Sequence, residues 1–407
     1  MNDVDIDKVA GWLARAGLSG KSETELLTAF CVKCNRIGLP LDRALVVIDT
    51  LHPIYEGRVF RWRSDGAEEA AMIEYGPTNT GDAATDWQSS IFYRMLTTGE
   101  EERRIVIGQP PEGWEYKHIA ELGESGHSDY VAFVHRFAEE VTIGEMDCLY
   151  SNWATRHPAG FTDENLAALR QLLPTLALAI KCASLARIAE TLVEVYLGRD
   201  AGRRVLSGRI GRGTTETINA VLWFSDLRGF TTITDSADPA EIIPLLNDYA
   251  DTVISAVHAN GGDVMKLVGD GVLAIFKADD PADACRCALA AEADMHARAA
   301  ALSERRAAEG RPVTSVYLGL HIGEVFYGNV GSDDRLDFTV VGPAVNEVSR
   351  IVSMCRSVDR GVVASSDFFA ATPEPERASL VSVGRYALRG VGRAQELFTL
   401  DPEITRA

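Results

Sequence analysis

The sequence has only short unbroken apolar runs. Its longest, residues 175–180 with the leucines before it, falls far short of the roughly 20 residues that a crossing helix needs. Its first residues, Met1 to Asp7, lack the basic and apolar regions of a secretory signal. Positive charge is also scarce. With 40 Lys and Arg against 59 Asp and Glu, the formal charge is −19. That excludes sequence-independent binding to nucleic acid and electrostatic attachment to anionic membranes. A cytoplasmic protein is the expectation. The seven cysteines are odd in number and scattered at 31, 34, 148, 182, 285, 287 and 355, so they form no disulfide framework. Cys31 and Cys34 have the one suggestive spacing. No second pair or histidine cluster completes a zinc site, and two small residues on a buried helix account for them. No internal repeat of 20 to 50 residues is present.

What is present is length enough for two or three domains: 407 residues, ordinary in apolar and charged content. The chain is organised around residues 221–276. A short apolar run, Val-Leu-Trp-Phe, closes in Ser-Asp226 and a glycine-containing turn. Further on, two apolar runs flank Gly269-Asp270-Gly271, the strongest short hairpin signal in the chain. Between them lies a helical pattern of Leu245, Leu246, Tyr249, Val253, Ile254 and Val257. If the two strands pair, Asp226 and Asp270 meet at one edge of a sheet. Two hard carboxylate ligands there suit Mg²⁺ or Mn²⁺ and leave room for phosphate oxygens. Alone, Asp226 reads equally as a strand-end cap and Asp270 as a turn residue.

Three segments carry a family resemblance: Phe224-Ser-Asp226-Leu-Arg-Gly-Phe-Thr231, Lys266-Leu-Val-Gly-Asp270-Gly, and Thr339-Val-Val-Gly-Pro-Ala-Val-Asn346-Glu-Val-Ser-Arg350. In order and spacing they resemble the signature segments of class III nucleotidyl cyclases, over residues 216–402. The resemblance implies an adenylate cyclase that converts ATP to 3′,5′-cyclic AMP and pyrophosphate. Asp226 and Asp270, helped by the Leu227 carbonyl, would hold two Mg²⁺ or Mn²⁺ ions. The turn with Gly229, Phe230 and Thr231 would offer backbone N–H groups to the triphosphate. Lys266 and Thr339 would read the base; the threonine matches a mostly bacterial subgroup often linked to bicarbonate. Asn346 would orient the ribose. Arg350, one helical turn on, would stabilise charge at the α-phosphate. In the family the metal aspartates and the Asn/Arg pair lie on opposite protomers, so a homodimer with two sites is implied. Residues 328–337 would be an arm reaching over the partner. A guanylate cyclase is the nearest alternative. A diguanylate cyclase is suggested only superficially, by Gly261-Gly-Asp-Val, and a binding-only sensor with a decayed cyclase half is the reading from another class.

The fold expected for residues 216–407 is α+β, a ferredoxin-like βαββαβ core, from strands at 220–226 and 264–276 and helices at 240–258 and 281–307. Later strands are expected at 315–322, 325–330, 338–341, 361–364, 380–388 and 395–400, and a helix at 344–354. Residues 1–160 read as a regulatory domain: helices with Val9, Trp12, Leu13 and Ala16 and at 23–35, strands at 45–51, 59–63, 130–137 and 142–153, a helix at 87–96 and an acidic turn at 100–102. Closed by Gly-Phe161-Thr162-Asp-Glu, with Thr162 as N-cap, the layout resembles a GAF-type sensor domain. Its regulator, a small molecule or a protein, stays unnamed. His52, His118, His127, His135 and His157 read as surface or ordinary core residues, and Phe60, Trp62, Trp87, Phe92, Tyr93 and Trp114 as packing. Between the two halves, residues 161–215 read as a helical transducer. Leu166, Leu169, Leu173, Leu176 and Ile180 form a coiled-coil-like seam, Pro174 is expected to kink or split the helix, and residues 196–200 and 208–214 read as non-helical.

Overall fold

The structure is a computed structural model that describes residues 2–66, 70–107, 116–137, 143–144, 146–277, 279–392 and 394–401. It divides into two compact units, Met1–Leu192 and Val193–Ala407.

In the first unit, α1 (Asp3–Leu18) starts at an Asn2 cap and α2 (Glu23–Arg36) at a capping box between Ser22 and Glu25. They precede β1 (Arg43–Asp49), β2 (Gly57–Arg63), β3 (Met72–Tyr75), α3 (Gly81–Gln88), α4 (Ile91–Thr98), β4 (Glu102–Val106), α5 (Lys117–Glu124), β5 (Asp129–Arg136) and β6 (Cys148–Thr155). The six strands form one antiparallel sheet ordered β3-β2-β1-β6-β5-β4. Alternation along β1 sends Ala44, Val46 and Ile48 into a core with α1, α2 and the long helix α6 (Asp163–Leu197). Leu45 and Val47 face the other side, against α4 and α5. Cys31 and Cys34 are free thiols buried in the first core, which agrees with packing rather than ligation.

Several expectations change here. Residues 87–96 are split between two helices, because the Ser90 hydroxyl accepts from the Tyr93 N–H and restarts the chain as α4. The acidic turn at 100–102 instead leads into β4, while β3 and α5 have no counterpart in the sequence reading. Thr162 does cap α6: its hydroxyl accepts from the Asn165 N–H at 3.2 Å. The helix then runs unbroken through Pro174. Leu166, Leu169, Leu173, Leu176 and Ile180 do not form an open seam; they are buried in this unit's own core. By length and composition α6 could cross a bilayer, yet 44% of its apolar window is buried inside the fold. Trp114 and Thr142 lie outside the described residues.

The second unit contains α7 (Arg199–Leu206), β7 (Thr215–Leu227), α8 (Phe230–Ser236), α9 (Pro239–Ala259), β8 (Asp263–Val268), β9 (Gly271–Phe276), α10 (Pro281–Ala308), β10 (Val316–Gly331), β11 (Leu336–Val341), α11 (Pro343–Val358), β12 (Val362–Ser365), α12 (Ser366–Ala371), β13 (Leu380–Tyr386) and β14 (Gln395–Leu400). The sheet runs β13-β14-β12-β10-β7-β9-β8, with β11 paired to β10. Its centre, β10-β7-β9-β8, is antiparallel throughout and is connected as βαββαβ. Val221 and Trp223 of β7 face α9 and α10, while Ala220 and Leu222 face α7 and α11. The fold is mixed α+β. Two local expectations change: α7 makes residues 199–200 helical, and residues 316–331 form one strand through Gly323; residues 328–337 lie in the β10–β11 hairpin.

Candidate active site

Asp226 is the penultimate residue of β7, and Asp270 sits in the turn between β8 and β9, where Gly269 takes φ +63°. Pairing of β7 with β9, Ser225 opposite Val272, carries the turn to the end of β7. Gly271 allows it: a Cβ there would lie 2.2 Å from the Ser225 carbonyl oxygen. The Leu227 N–H donates to Asp270 Oδ2 at 3.1 Å. Burial pushes the Asp226 carboxyl up to about 6, and the charge of Asp270 beside it adds to the rise. Among the described residues neither carboxylate has a basic ion-pair partner. A divalent cation is the partner that this donor set fits: hard oxygens, half-buried, with uncompensated negative charge. Just beyond Leu227, Gly229 at φ +69° turns the chain into α8, whose first turn holds Phe230 and Thr231 and has no side-chain cap.

Lys266 and Thr339 lie on β8 and β11. Lys266 Nζ pairs with Asp337 Oδ2 at 2.6 Å, both side chains partly solvated. Thr339 shares the face of β11 with Asp337, two residues away. Its hydroxyl is buried and has no hydrogen-bond partner, a group held ready for an external acceptor or donor. Sequence reasoning missed Asp337 as the lysine's partner. Its signal was the period of two from Thr339.

Asn346 and Arg350 are on the exposed face of α11, whose buried face is Ala344, Val348, Ile351, Val352 and Cys355. Glu347, the acid that could neutralise Arg350, instead accepts from Gln395 Nε2 at 2.7 Å. Among the described residues Arg350 has no ion-pair partner. Its helix begins beside Gly323, where an added Cβ would meet that of Ala344 at 2.9 Å. Asp226 is opposite Tyr317 on the same strand, six positions from Gly323. At ~3.3 Å per residue, the start of α11 and the aspartates are about 20 Å apart along the sheet. One chain therefore brings Asp226, Leu227 and Asp270 together, and separately Lys266 with Thr339, while Asn346 and Arg350 stand on the exposed face of α11, which runs from Gly323 back past Gly319.

A second polar cluster escaped the sequence reading. His321 is buried on β10; its Nδ1 meets Ser365 Oγ at 2.8 Å and lies 3.9 Å from Glu347 Oε1. With Asp367, these residues bring three ligand atoms within 4.8 Å of one another. Ser365 and Gln395 already engage two of them, and the network ties α11 to β10, β12 and β14.

The description "Adenylate and Guanylate cyclase catalytic domain" fits residues 214–401 as a family match. "Adenylate cyclase 1" of Rhizobium meliloti is 31% identical over 186 residues, 44% of this chain and 27% of that protein. An "Adenylate cyclase" of Anabaena cylindrica is 33% identical over 172 residues, 41% of this chain and 34% of that one. The chain thus spans about a third of the length of the curated relatives it matches. Among solved structures, the adenylyl cyclase CyaB from P. aeruginosa is similar at 24% identity and a TM-score of 0.42, over 46% of this chain and 95% of that one. Residues 214–401 of this chain match the adenylate and guanylate cyclase catalytic domain.

Proposed function

We propose that the protein is an adenylate cyclase, closing ATP to 3′,5′-cyclic AMP and pyrophosphate at a site completed by a second copy of the chain. The observation that carries this reading is the Asp226–Asp270 pair, crowded together without a cation of its own, in a chain whose Arg350 is exposed and unpaired among the described residues. Asp226, Asp270 and the Leu227 carbonyl would hold two Mg²⁺ or Mn²⁺ ions. Such ions, when bound, supply Lewis acidity to the 3′-hydroxyl and offset charge on the triphosphate. The turn of Gly229, Phe230 and Thr231 offers backbone N–H groups to the phosphates.

Lys266 donates to adenine N1 and the Thr339 hydroxyl accepts from the adenine amino group, which requires the Lys266–Asp337 pair to open. Asn346 orients the ribose, and Arg350 balances charge developing on the α-phosphoryl oxygens. The first unit is read as a GAF-like regulatory domain, supported by its antiparallel sheet with helices on both faces. The protein is read as cytoplasmic from its net charge of −19. Purified full chain incubated with Mn²⁺ and either ATP or GTP should yield 3′,5′-cyclic AMP from ATP. Cyclic GMP as the main product would make it a guanylate cyclase, and no cyclic product from either would leave only a binding role.

A further inference from the structure

The second face of the amino-terminal sheet lines a cavity of about 1190 Å³. Drug-sized ligands fill sites of this order, mostly apolar with a few convergent polar groups. One wall is aromatic: Tyr150 stands 5.7 Å from Trp87 and 5.2 Å from Phe92, centroid to centroid. Tyr150 and Phe92 are buried and Trp87 is half-buried, a corner that suits a flat ring laid against it.

Charge inside the cavity is already answered. Asp49 accepts from the Tyr75 hydroxyl at 2.7 Å, and Glu56 takes both the N–H and the hydroxyl of Thr78. Arg61 is engaged as well, and the Tyr130 hydroxyl pairs with the Asn152 side chain. Asp86, Lys117, Glu121 and Asp147 are exposed at the rim. An ion drawn into this space would lose its water and meet no free counter-charge, a cost that a neutral molecule escapes.

His118 supplies the polar handle. It lines the cavity edge-on to Tyr130, with ring centroids 6.3 Å apart, and its Nε2 is buried without a hydrogen-bond partner. Its Nδ1 lies 3.9 Å from Glu121 Oε2, beyond hydrogen-bond reach. Burial, with the charge of Arg43 next, holds His118 down at about 4, so its ring is neutral at pH 7. A neutral imidazole gives one hydrogen bond and takes one, and a ligand hydroxyl can meet Nε2 in either tautomer.

We propose that this cavity binds a neutral planar aromatic molecule that carries a hydroxyl, its ring against Trp87 and Tyr150 and its hydroxyl at His118 Nε2. The inference rests on the first unit alone and stands whatever nucleotide the second unit takes.

Calorimetric titration of the full chain at pH 7.5 tests it, with 2-naphthol as the probe and 2-naphthoate and 2-naphthylmethylamine as anionic and cationic controls on the same ring. The naphthol should bind with a Kd below roughly 1 mM and at least about tenfold more tightly than either control. His118→Phe, which keeps an aromatic ring, should weaken the naphthol about fivefold or more. Trp87→Ala, at the half-buried wall, should weaken it to a similar degree. Should one variant fail to fold, the other and the charged controls still decide. No binding of the naphthol, a charged control binding as tightly, or unchanged affinity in either folded variant would each overturn the proposal.

Discussion

At the scale of single residues, the Asp226–Asp270 pair costs stability that only a cation can return. Burial and the neighbouring charge raise the folded carboxyl of Asp226 to about 6, above its unfolded value of about 3.9. Its contribution is therefore most favourable below about pH 4 and turns into a penalty as pH rises through about 6. Asp226→Asn removes that penalty. With a discount for its partial exposure, we expect the metal-free variant to gain about 1–2 kcal/mol at pH 7.5, a rise of a few degrees in melting temperature. The gain should shrink to about half at pH 5 and vanish only below about pH 4. Added Mn²⁺ should reverse the ranking, because it stabilises wild type through binding and the variant far less. Melting curves at the two pH values, with and without Mn²⁺, check this. An Asp226→Asn protein that melts lower than wild type at pH 7.5 without metal would mean the carboxylates are not in conflict.

At the scale of elements, α7 shows how much a single half-buried acid can anchor. Asp200 Oδ2 accepts from Lys277 Nζ at 2.7 Å, the Tyr327 hydroxyl at 2.7 Å and Arg204 Nε at 2.9 Å, tying α7 to the end of β9 and to β10. Burial opposes ionisation here. The hydrogen bonds from Lys277 and Tyr327 and the nearby positive charges outweigh it, and the carboxyl is pulled down to about 2. A depressed folded value means stability present above the unfolded value of about 3.9 and lost as pH falls toward 2. Asp200→Asn should thus cost about 1–2 kcal/mol at pH 7, with the difference from wild type shrinking below pH 4; urea unfolding followed across that range reads it out. No local pattern announced α7, because its glycine- and arginine-rich sequence is helical only through this tertiary anchoring. The same reason explains the other departures. Gly323 reads as a break between two strands, yet its ladder partner Ala220 on β7 carries β10 straight through it. Pro174 reads as a helix stop, yet Leu172, Leu173, Leu176 and Ala177 are buried around it and the helix continues. By contrast, the hairpin at Asp270 and the cap at Thr162 were legible, since turn and cap chemistry acts within a few residues. His321–Ser365 was not, because nothing in the spacing along the chain brings the two together, and Lys266–Asp337 was visible only through the period of two that puts Asp337 on the face of Thr339.

At the scale of the whole molecule, the proposed site is one shared between two copies: Asp226 and Asp270 sit at the end of β7, while Asn346 and Arg350 stand on the exposed face of α11. On that reading a two-fold dimer has two identical sites, each taking its aspartates from one copy and its Asn346 and Arg350 from the other. The arrangement makes a prediction that no monomeric site can imitate. Asp226→Ala and Arg350→Ala proteins should each be inactive, since every site in either homodimer lacks one group. Mixed and allowed to exchange, they form heterodimers in which one site carries both lesions and the other carries none. Random pairing makes about half the dimers mixed, so recovered activity should approach about a quarter of wild type. Rates of cyclic nucleotide formation, measured against the mixing ratio, should peak at equal amounts and fall to nothing at either end. A flat, inactive profile in a mixture shown by native mass spectrometry to contain heterodimers would place all the groups in one chain and end the shared-site reading.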